Sequence, residues 1–139
     1  MSECRKIKNY TTKVPASKTA SEIQEMLARH GASKVMTEYD GGGSPIGICF
    51  EISGKTFRLP VRVGAVGRLL DEQGVSSSPE RAEMVAWRNV KDWIAAQIAM
   101  IEIGQVGIDE VMLPYMVDAY GHTLYESMPN LLLEGFDNE

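Results

Sequence analysis

One stretch, residues 78–104, constrains the fold of this chain more than any other because it has the marks of a single long helix. Ser78 offers a hydroxyl that can accept a hydrogen bond from the free N–H groups of a first helical turn, and Pro79 suits the first helical position. Gly104 can adopt the left-handed backbone conformation that ends a helix. The sequence therefore predicts a helix of roughly 37 Å in this stretch.

The pattern of apolar residues predicts that this helix lies in the core. Apolar side chains recur at helical spacing, at Trp87, Val90, Ile94, Ile98 and Ile101. A second row that includes Trp93 widens the apolar face, so we expect both tryptophans to pack rather than to bind a ligand. Gln97 falls within this face and should have a hydrogen-bond partner there. On the remaining strip, Arg88 and Asp92 are spaced to form an ion pair.

The clearest local structure is a β-hairpin, predicted by the alternating apolar residues on both sides of Ser53-Gly54. A two-residue turn places three apolar pairs on one face: Ile46 with Val61, Ile48 with Leu59, and Phe50 with Phe57. The opposite face carries Glu51 and Arg58, and Arg62 follows the second strand. Pro60 has no N–H to donate, so the second strand is predicted to lie at an edge of the sheet.

The other predicted elements complete an α+β domain. In chain order they are a strand at 6–14, a helix at 19–30, a strand at 33–40, a loop at 41–45, a helix at 64–73, a strand or a helical turn broken at Pro114 within 109–117, and a strand-like segment at 122–125. A Thr19–Glu22 capping box opens the first helix. The predicted fold class is α+β, with an antiparallel sheet of about four strands covered on one face by helices. We expect one domain over residues 1–139, frayed at residues 1–5 and 134–139.

Charge is distributed unevenly along the chain, whose net charge is −5. Residues 1–34 carry seven Lys or Arg against three Asp or Glu, whereas residues 105–139 carry seven Asp or Glu and no Lys or Arg. The two ends are predicted to lie against each other, within one chain or between subunits. The alternative is a basic surface for an anion and an acidic surface for a basic partner. The absence of a long apolar run or signal-like N-terminus, and the two distant cysteines, predict a reduced, cytoplasmic protein without a membrane span.

No arrangement of reactive residues predicts catalysis. A cysteine nucleophile at Cys49 would need a nearby histidine, and the candidates are His30 and His122. Two histidines so far apart do not match the spacing of a zinc site. Glu38 and Asp40 could form a carboxylate pair, although solvated charges at a strand end are the preferred interpretation. The sequence therefore predicts a protein that is not an enzyme, with no metal and no cofactor.

Nucleic-acid binding is an alternative that the order of elements suggests. A helix followed by three strands and a helix matches double-stranded-RNA-binding domains. Those domains begin their second helix with lysines, whereas this chain has Gly64 to Arg68 there, and its overall charge is acidic. A phosphate backbone could still follow one face of the hairpin together with a neighbouring first strand, through Lys55, Arg58, Arg62, Lys6, Lys8 and Lys13.

Several short segments between residues 10 and 126 carry a resemblance. They are Tyr10-Thr11-Thr12, Lys18 to Ile23, His30-Gly31-Ala32, Glu38-Tyr39-Asp40, Arg58-Leu59-Pro60, Ala86-Trp87-Arg88, Lys91-Asp92-Trp93 and Leu113-Pro114-Tyr115-Met116. Together they resemble a family of small proteins encoded by bacteriophages and prophages. The resemblance implies no catalytic residue. It implies a cytoplasmic protein of an infected or lysogenic bacterium, a context in which small proteins often inhibit host defence or assist replication.

These observations lead to three functional hypotheses that share one surface. The first is a non-enzymatic interaction protein that inhibits a host defence complex, either a protein or a protein–nucleic acid assembly. The second is a nucleic-acid-binding protein, and the third is a sponge that binds a small nucleotide between subunits of a homo-oligomer. The predicted partner- or phosphate-binding residues are Lys55, Arg58, Arg62 and Glu51.

Overall fold

The structure is a computed structural model that describes residues 5–137. Its elements in chain order are helix α1 (Ala16–Arg29), strands β1 (Lys34–Tyr39), β2 (Pro45–Ile52) and β3 (Lys55–Pro60), helices α2 (Val63–Glu72), α3 (Pro79–Glu102) and α4 (Ile108–Met112), a 3-10 turn (Leu113–Tyr115) and helix α5 (Leu124–Asp137). The predicted α+β class is confirmed. Of the predicted frayed ends, residues 1–4 and 138–139 lie outside the described residues, and residues 134–137 belong to α5.

The antiparallel sheet has the order β1-β2-β3 and the hairpin has the predicted register. Ile48 lies opposite Leu59, and Phe50 lies opposite Phe57 with ring centroids 5.5 Å apart. Ser53 and Gly54 have φ values of 54° and 77°, as a type I′ turn requires. The outermost predicted pair also forms, since the Val61 N–H donates to the Ile46 carbonyl oxygen at 2.8 Å, but only Val61 is buried and Ile46 is 40% exposed.

The core lies between one face of the sheet and two helices. Its buried members include Ile23 and Leu27 of α1, the apolar side chains of the hairpin, and Trp87 and Ile94 of α3. Trp87 is fully buried, and its indole N–H donates to the carbonyl oxygen of Pro45 at 3.0 Å. A smaller cluster, formed by Leu70, Ala82 and Val85, joins α2 to the first turns of α3.

The long helix begins as predicted, because the Ser78 hydroxyl accepts a hydrogen bond from the Arg81 N–H at 3.2 Å. None of the helices within residues 5–137 has the length and apolar character needed to cross a membrane.

The predicted first strand at 6–14 is wrong. Residues 5–14 follow an irregular path with a turn at 8–11, and the described sheet has three strands rather than about four. Polar side chains of α3 bind the backbone of this segment: Arg81 donates to the carbonyl oxygens of Tyr10 and Thr12, and Asn89 donates to that of Lys8. Because α3 satisfies these carbonyl groups, the segment packs against helices instead of joining the sheet.

The predicted capping box at Thr19–Glu22 is also wrong, because α1 begins at Ala16 and Thr19 is fully buried within it. Both side chains instead bind Arg88 of α3, whose guanidinium lies 2.7 Å from the Glu22 carboxylate. Arg88 therefore does not form the predicted ion pair with Asp92. Asp92 is bound by Lys8 at 3.1 Å and by Asn9 at 2.9 Å.

Helix α5 was not predicted. The segment at 109–117 forms α4 and the 3-10 turn, which is the helical alternative broken at Pro114. In place of the predicted strand-like segment at 122–125, Thr123 forms only an isolated bridge with Val117, and α5 begins at Leu124. Thr123 then begins α5 with a true capping box: its N–H donates to Glu126 at 2.7 Å, and its hydroxyl accepts from the Glu126 N–H at 3.2 Å.

The buried aromatic pair of the hairpin gives a first prediction. Phe50→Ala should lower the free energy of unfolding by about 3–5 kcal/mol, because it leaves a cavity in the core. Tyr120 is 86% exposed, so Tyr120→Ala is a matched control that should change stability by less than about 0.5 kcal/mol. Urea titrations followed by circular dichroism measure both. A loss below about 1 kcal/mol for Phe50→Ala would contradict its burial.

The ion pairs of α3 give a second prediction, on pH. Hydrogen bonds from Arg88 and Lys91 hold the pKa of Glu22 below its ordinary value, and those from Asn9 and Lys8 do the same for Asp92. Such carboxylates stabilise the fold above their unfolded-state pKa, and this stabilisation is lost as the pH falls through their folded-state pKa. We therefore expect the free energy of unfolding to fall below about pH 4.

Replacing one of these carboxylates isolates its share of the effect. Glu22→Gln should flatten the pH dependence of urea titrations, whereas Glu25→Gln on the exposed side of the same helix should leave it unchanged. Equal pH profiles for Glu22→Gln and wild type would show that Arg88 and Lys91 do not stabilise the ionised carboxylate.

Candidate functional site

The four residues predicted to form a binding surface lie along the hairpin but not on one face. Side chains alternate between the two faces of a strand, so Lys55 points to the same side as Phe57, opposite to Arg58. The prediction that Lys55, Arg58 and Arg62 share one face is therefore wrong for Lys55. Arg62 lies beyond the end of β3 and immediately precedes α2.

Two of the four residues are bound within the fold. Lys55 forms an ion pair with Asp109 in the first turn of α4. Glu51 accepts a hydrogen bond from the Ser33 hydroxyl at 3.0 Å, next to the start of β1. Both side chains thus connect the sheet to neighbouring segments.

Arg58 is bound on two sides. Its Nε lies 3.3 Å from the Glu38 carboxylate on β1, and another guanidinium nitrogen donates to the carbonyl oxygen of Gly121 at 2.8 Å. It therefore ties the C-terminal segment to the sheet. Hydrogen bonds that involve a charged group contribute more to stability than neutral ones, so Arg58 has a structural role.

Arg62 differs from the other three. Its side chain is exposed, and within residues 5–130 it forms no ion pair or hydrogen bond with another side chain. It lies between two clefts, which share Pro60, Arg62 and Tyr115 as lining residues. We call the two clefts together the Arg62 groove.

The larger cleft of the groove is apolar and has a volume of about 360 Å³. The end of β3, helix α2 and the middle of α3 form its walls, with Leu59, Val66 and Trp93 among the lining residues. The smaller cleft has a volume of about 210 Å³ and lies against the start of α5, where Arg58, Tyr125 and Glu126 line it.

Aromatic side chains stand along both clefts. Trp93, which the helical pattern predicts to be buried, is 37% exposed and meets Tyr115 edge to face with ring centroids 6.3 Å apart. Tyr125 in the smaller cleft is 61% exposed. Partly exposed aromatic rings around an arginine form a surface that suits both apolar and anionic groups.

The apolar pattern of α3 does not reveal this aromatic contribution, for a geometric reason. Trp93 follows Trp87 by six residues, which places it roughly 240° further around the helix, away from the sheet. The sequence alone gives this angle. It does not predict a cleft beside Trp93, because the cleft depends on where α2 and the 3-10 turn pack.

The acidic groups near the groove are engaged by the backbone. The Thr123 N–H holds the pKa of Glu126 below its ordinary value, and the N–H groups of His122 and Tyr120 do the same for Asp118. Both carboxylates remain ionised at neutral pH and point at N–H groups. Of the two, Glu126 lines the smaller cleft and places a negative charge in the same cleft as Arg62.

Other candidate sites are not assembled. Burial raises the pKa of the Cys49 thiol, which disfavours the nucleophilic thiolate. Asp40 accepts hydrogen bonds from the N–H groups of Gly42 and Ser44, while Glu38 binds Arg58, so no carboxylate pair forms. The loop predicted at 41–45 does connect β1 to β2, although its last residue, Pro45, begins β2. Within the described residues, no cluster of three or more His, Cys, Asp or Glu is arranged to hold a metal ion.

The predicted basic face is not continuous. Lys6 donates to the carbonyl oxygen of Gln73 at 2.6 Å, and Lys8 pairs with Asp92, so both lie against helices rather than beside the hairpin. The basic N-terminal segment and the acidic C-terminal segment each bind the middle of the chain, as Lys8–Asp92 and Lys55–Asp109 show.

Comparison with protein-family models, with curated proteins and with solved structures gave no match for this chain. The resemblance to the phage and prophage family therefore stays a prediction.

The contrast between the two arginines gives a third prediction. Arg58→Ala should lower the free energy of unfolding by about 1–2 kcal/mol, because it leaves the Gly121 carbonyl and Glu38 without their partner. Arg62→Ala should change it by less than about 0.5 kcal/mol. Urea titrations of the two variants test this difference, and equal losses would contradict the structural role of Arg58.

Proposed function

We propose that this chain is a non-enzymatic binding protein that uses the Arg62 groove to hold an acidic segment of a protein partner. The observation that carries the proposal is the position of Arg62, an exposed guanidinium between two clefts with aromatic walls. An arginine presents a planar fork of donors that matches a carboxylate. A carboxylate at Arg62 would sit between two apolar recesses.

The residues of the groove favour a protein as the partner. Tryptophan, tyrosine and arginine are enriched among the residues that contribute most to protein–protein binding. Trp93, Tyr115, Tyr125 and Arg62 bring these types together within one groove. The two clefts are each large enough for an apolar side chain, so the best match is an acidic residue with an apolar or aromatic neighbour.

The other predicted site residues take supporting roles in this proposal. Arg58 fixes the C-terminal segment that forms one wall of the groove, and Lys55 fixes α4 through Asp109. Glu51, near the end of the central strand β2, accepts a hydrogen bond from Ser33 before β1 and takes no part.

The resemblance to a phage family supports a particular partner, a component of a host defence complex in the bacterial cytoplasm. In that setting the protein acts as an inhibitor by occupying a surface that the complex needs. No catalytic step is required of this chain.

A second candidate is a small nucleotide, which one observation favours. Arg58 and Arg62 line the same cleft of about 210 Å³, next to the larger apolar cleft. A phosphate between the arginines would leave a base within reach of Tyr115 or Trp93, and aromatic stacking stabilises bound bases. A long nucleic acid has less support, because Lys6, Lys8 and Lys55 are bound within the fold.

A fourth prediction concerns the sequence that the groove selects. A random peptide library panned against the wild-type protein should enrich peptides in which Asp or Glu adjoins an aromatic or aliphatic residue. Arg62→Ala should bind these peptides at least tenfold more weakly, since it removes a charge-assisted contact. Arg68→Ala removes an exposed arginine of α2 outside the groove and should bind them like wild type.

Two outcomes would contradict the proposal. One is equal binding of the enriched peptides by wild type and Arg62→Ala. The other is a selection without acidic peptides, together with quenching of tryptophan fluorescence by a cyclic dinucleotide that Arg62→Ala abolishes. That second result would assign the groove to a nucleotide.

A further inference from the structure

The two edges of the sheet differ in how far the rest of the chain covers them. The edge of β3 is covered, because Met116 forms a bridge with Phe57 and the Val117 N–H donates to the Thr56 carbonyl oxygen at 2.9 Å. The outer edge of β1 receives no backbone hydrogen bond from the described residues outside its own hairpin. In an edge strand, every second residue directs its N–H and C=O away from the sheet.

β1 carries charges only toward its ends, at Lys34 and Glu38, and its centre lacks the features that usually protect an edge. Proline, bulges and charges placed along the edge prevent pairing with another chain. β1 contains no proline, its bulge lies at Glu38/Tyr39 at the very end, and its centre is Met36-Thr37. Met36 is 56% exposed. The strand is therefore open to a further strand over most of its length.

The charges of β1 identify the partner strand. In an antiparallel pair, residues directly opposite each other point to the same face, so two copies of β1 pair about a single central residue. With Met36 opposite its own copy, Lys34 lies opposite Glu38 twice, and Val35 lies opposite Thr37. Shifting the centre to Val35 or Thr37 breaks both charge pairs. Opposite charges that face each other across strands are favourable.

We propose that two copies of this chain associate through the edges of β1, in the register centred on Met36, to form one continuous antiparallel sheet. Glu38 then lies between Arg58 of its own chain, at 3.3 Å, and Lys34 of the second copy. Because the two-fold axis is perpendicular to the sheet, the helices of both copies lie on the same face.

The space beside β1 suits a second copy. A groove of about 410 Å³ separates the start of β1 from α1, and the helix presents small or polar side chains to it, including Ser21, Gln24 and Ala28. Gln24 donates to the Thr37 hydroxyl at 2.7 Å and holds α1 over the inner face of the strand. The small residues leave room for the α1 helix of the second copy above the joined strands.

Charge exchange tests both the surface and the register. By sedimentation velocity, the wild-type protein should be a dimer at micromolar concentration. Lys34→Glu and Glu38→Lys should each raise the dimer dissociation constant about tenfold or more, because each places two like-charge pairs across the interface. Mixed in equal amounts, the two variants should form a heterodimer, since both charge pairs are then restored. Lys18→Glu, an exposed change on α1, should dimerise like wild type.

Two results would overturn the proposal. A wild-type monomer at every concentration would exclude the second copy as the occupant of this edge. Weakened homodimers that do not combine as a mixture, while circular dichroism shows both variants folded, would exclude the register centred on Met36.

Discussion

The buried indole of Trp87 is the constraint on which the rest of this structure depends. It is fully buried, and its N–H must find an acceptor because an unpaired buried donor is costly. The acceptor is the carbonyl oxygen of Pro45 at 3.0 Å, the first residue of the central strand. This bond fixes the height of α3 above the sheet. It places Ala82 and Val85 against Leu70 of α2, and directs Trp93 outward toward the 3-10 turn.

The position of α3 also determines which charged side chains are bound within the fold. Arg88 binds Glu22 of α1, Asp92 binds Lys8, and Arg81 binds backbone carbonyls of the N-terminal segment. Among the basic residues of the first third, Lys8 binds α3, Lys6 binds the carbonyl oxygen of Gln73 just after α2, and Arg29 pairs with Glu25 within its own helix. The number of Lys and Arg residues therefore overstates the charge available to a ligand. Arg62 stands out because, within residues 5–130, its side chain forms no ion pair or hydrogen bond with another side chain.

The predictable parts of the fold are those that local chemistry specifies. Register in the hairpin follows from strict alternation and a turn that accepts positive φ, and Ser78-Pro79 marks the start of α3. Failures arose where tertiary contacts override local signals. Thr19 is buried against Arg88 instead of capping a helix, whereas the same Thr-x-x-Glu pattern at Thr123 does cap α5, where the sequence predicted a strand-like segment. The sequence shows which cations belong to the candidate site. It does not show which of them are bound within the fold, because that depends on contacts between residues distant in sequence.

Both proposed surfaces can be occupied at once, because the β1 edge and the Arg62 groove lie at opposite edges of the three-stranded sheet. The central claim is that the fold restrains Arg58 and Arg88 but leaves Arg62 available. Nitrogen-15 relaxation of the arginine Nε–H groups in the free protein measures this most directly. We expect restricted motion for Arg58 and Arg88 and fast, large-amplitude motion for Arg62. An Arg62 Nε–H as restricted as that of Arg58 would contradict it.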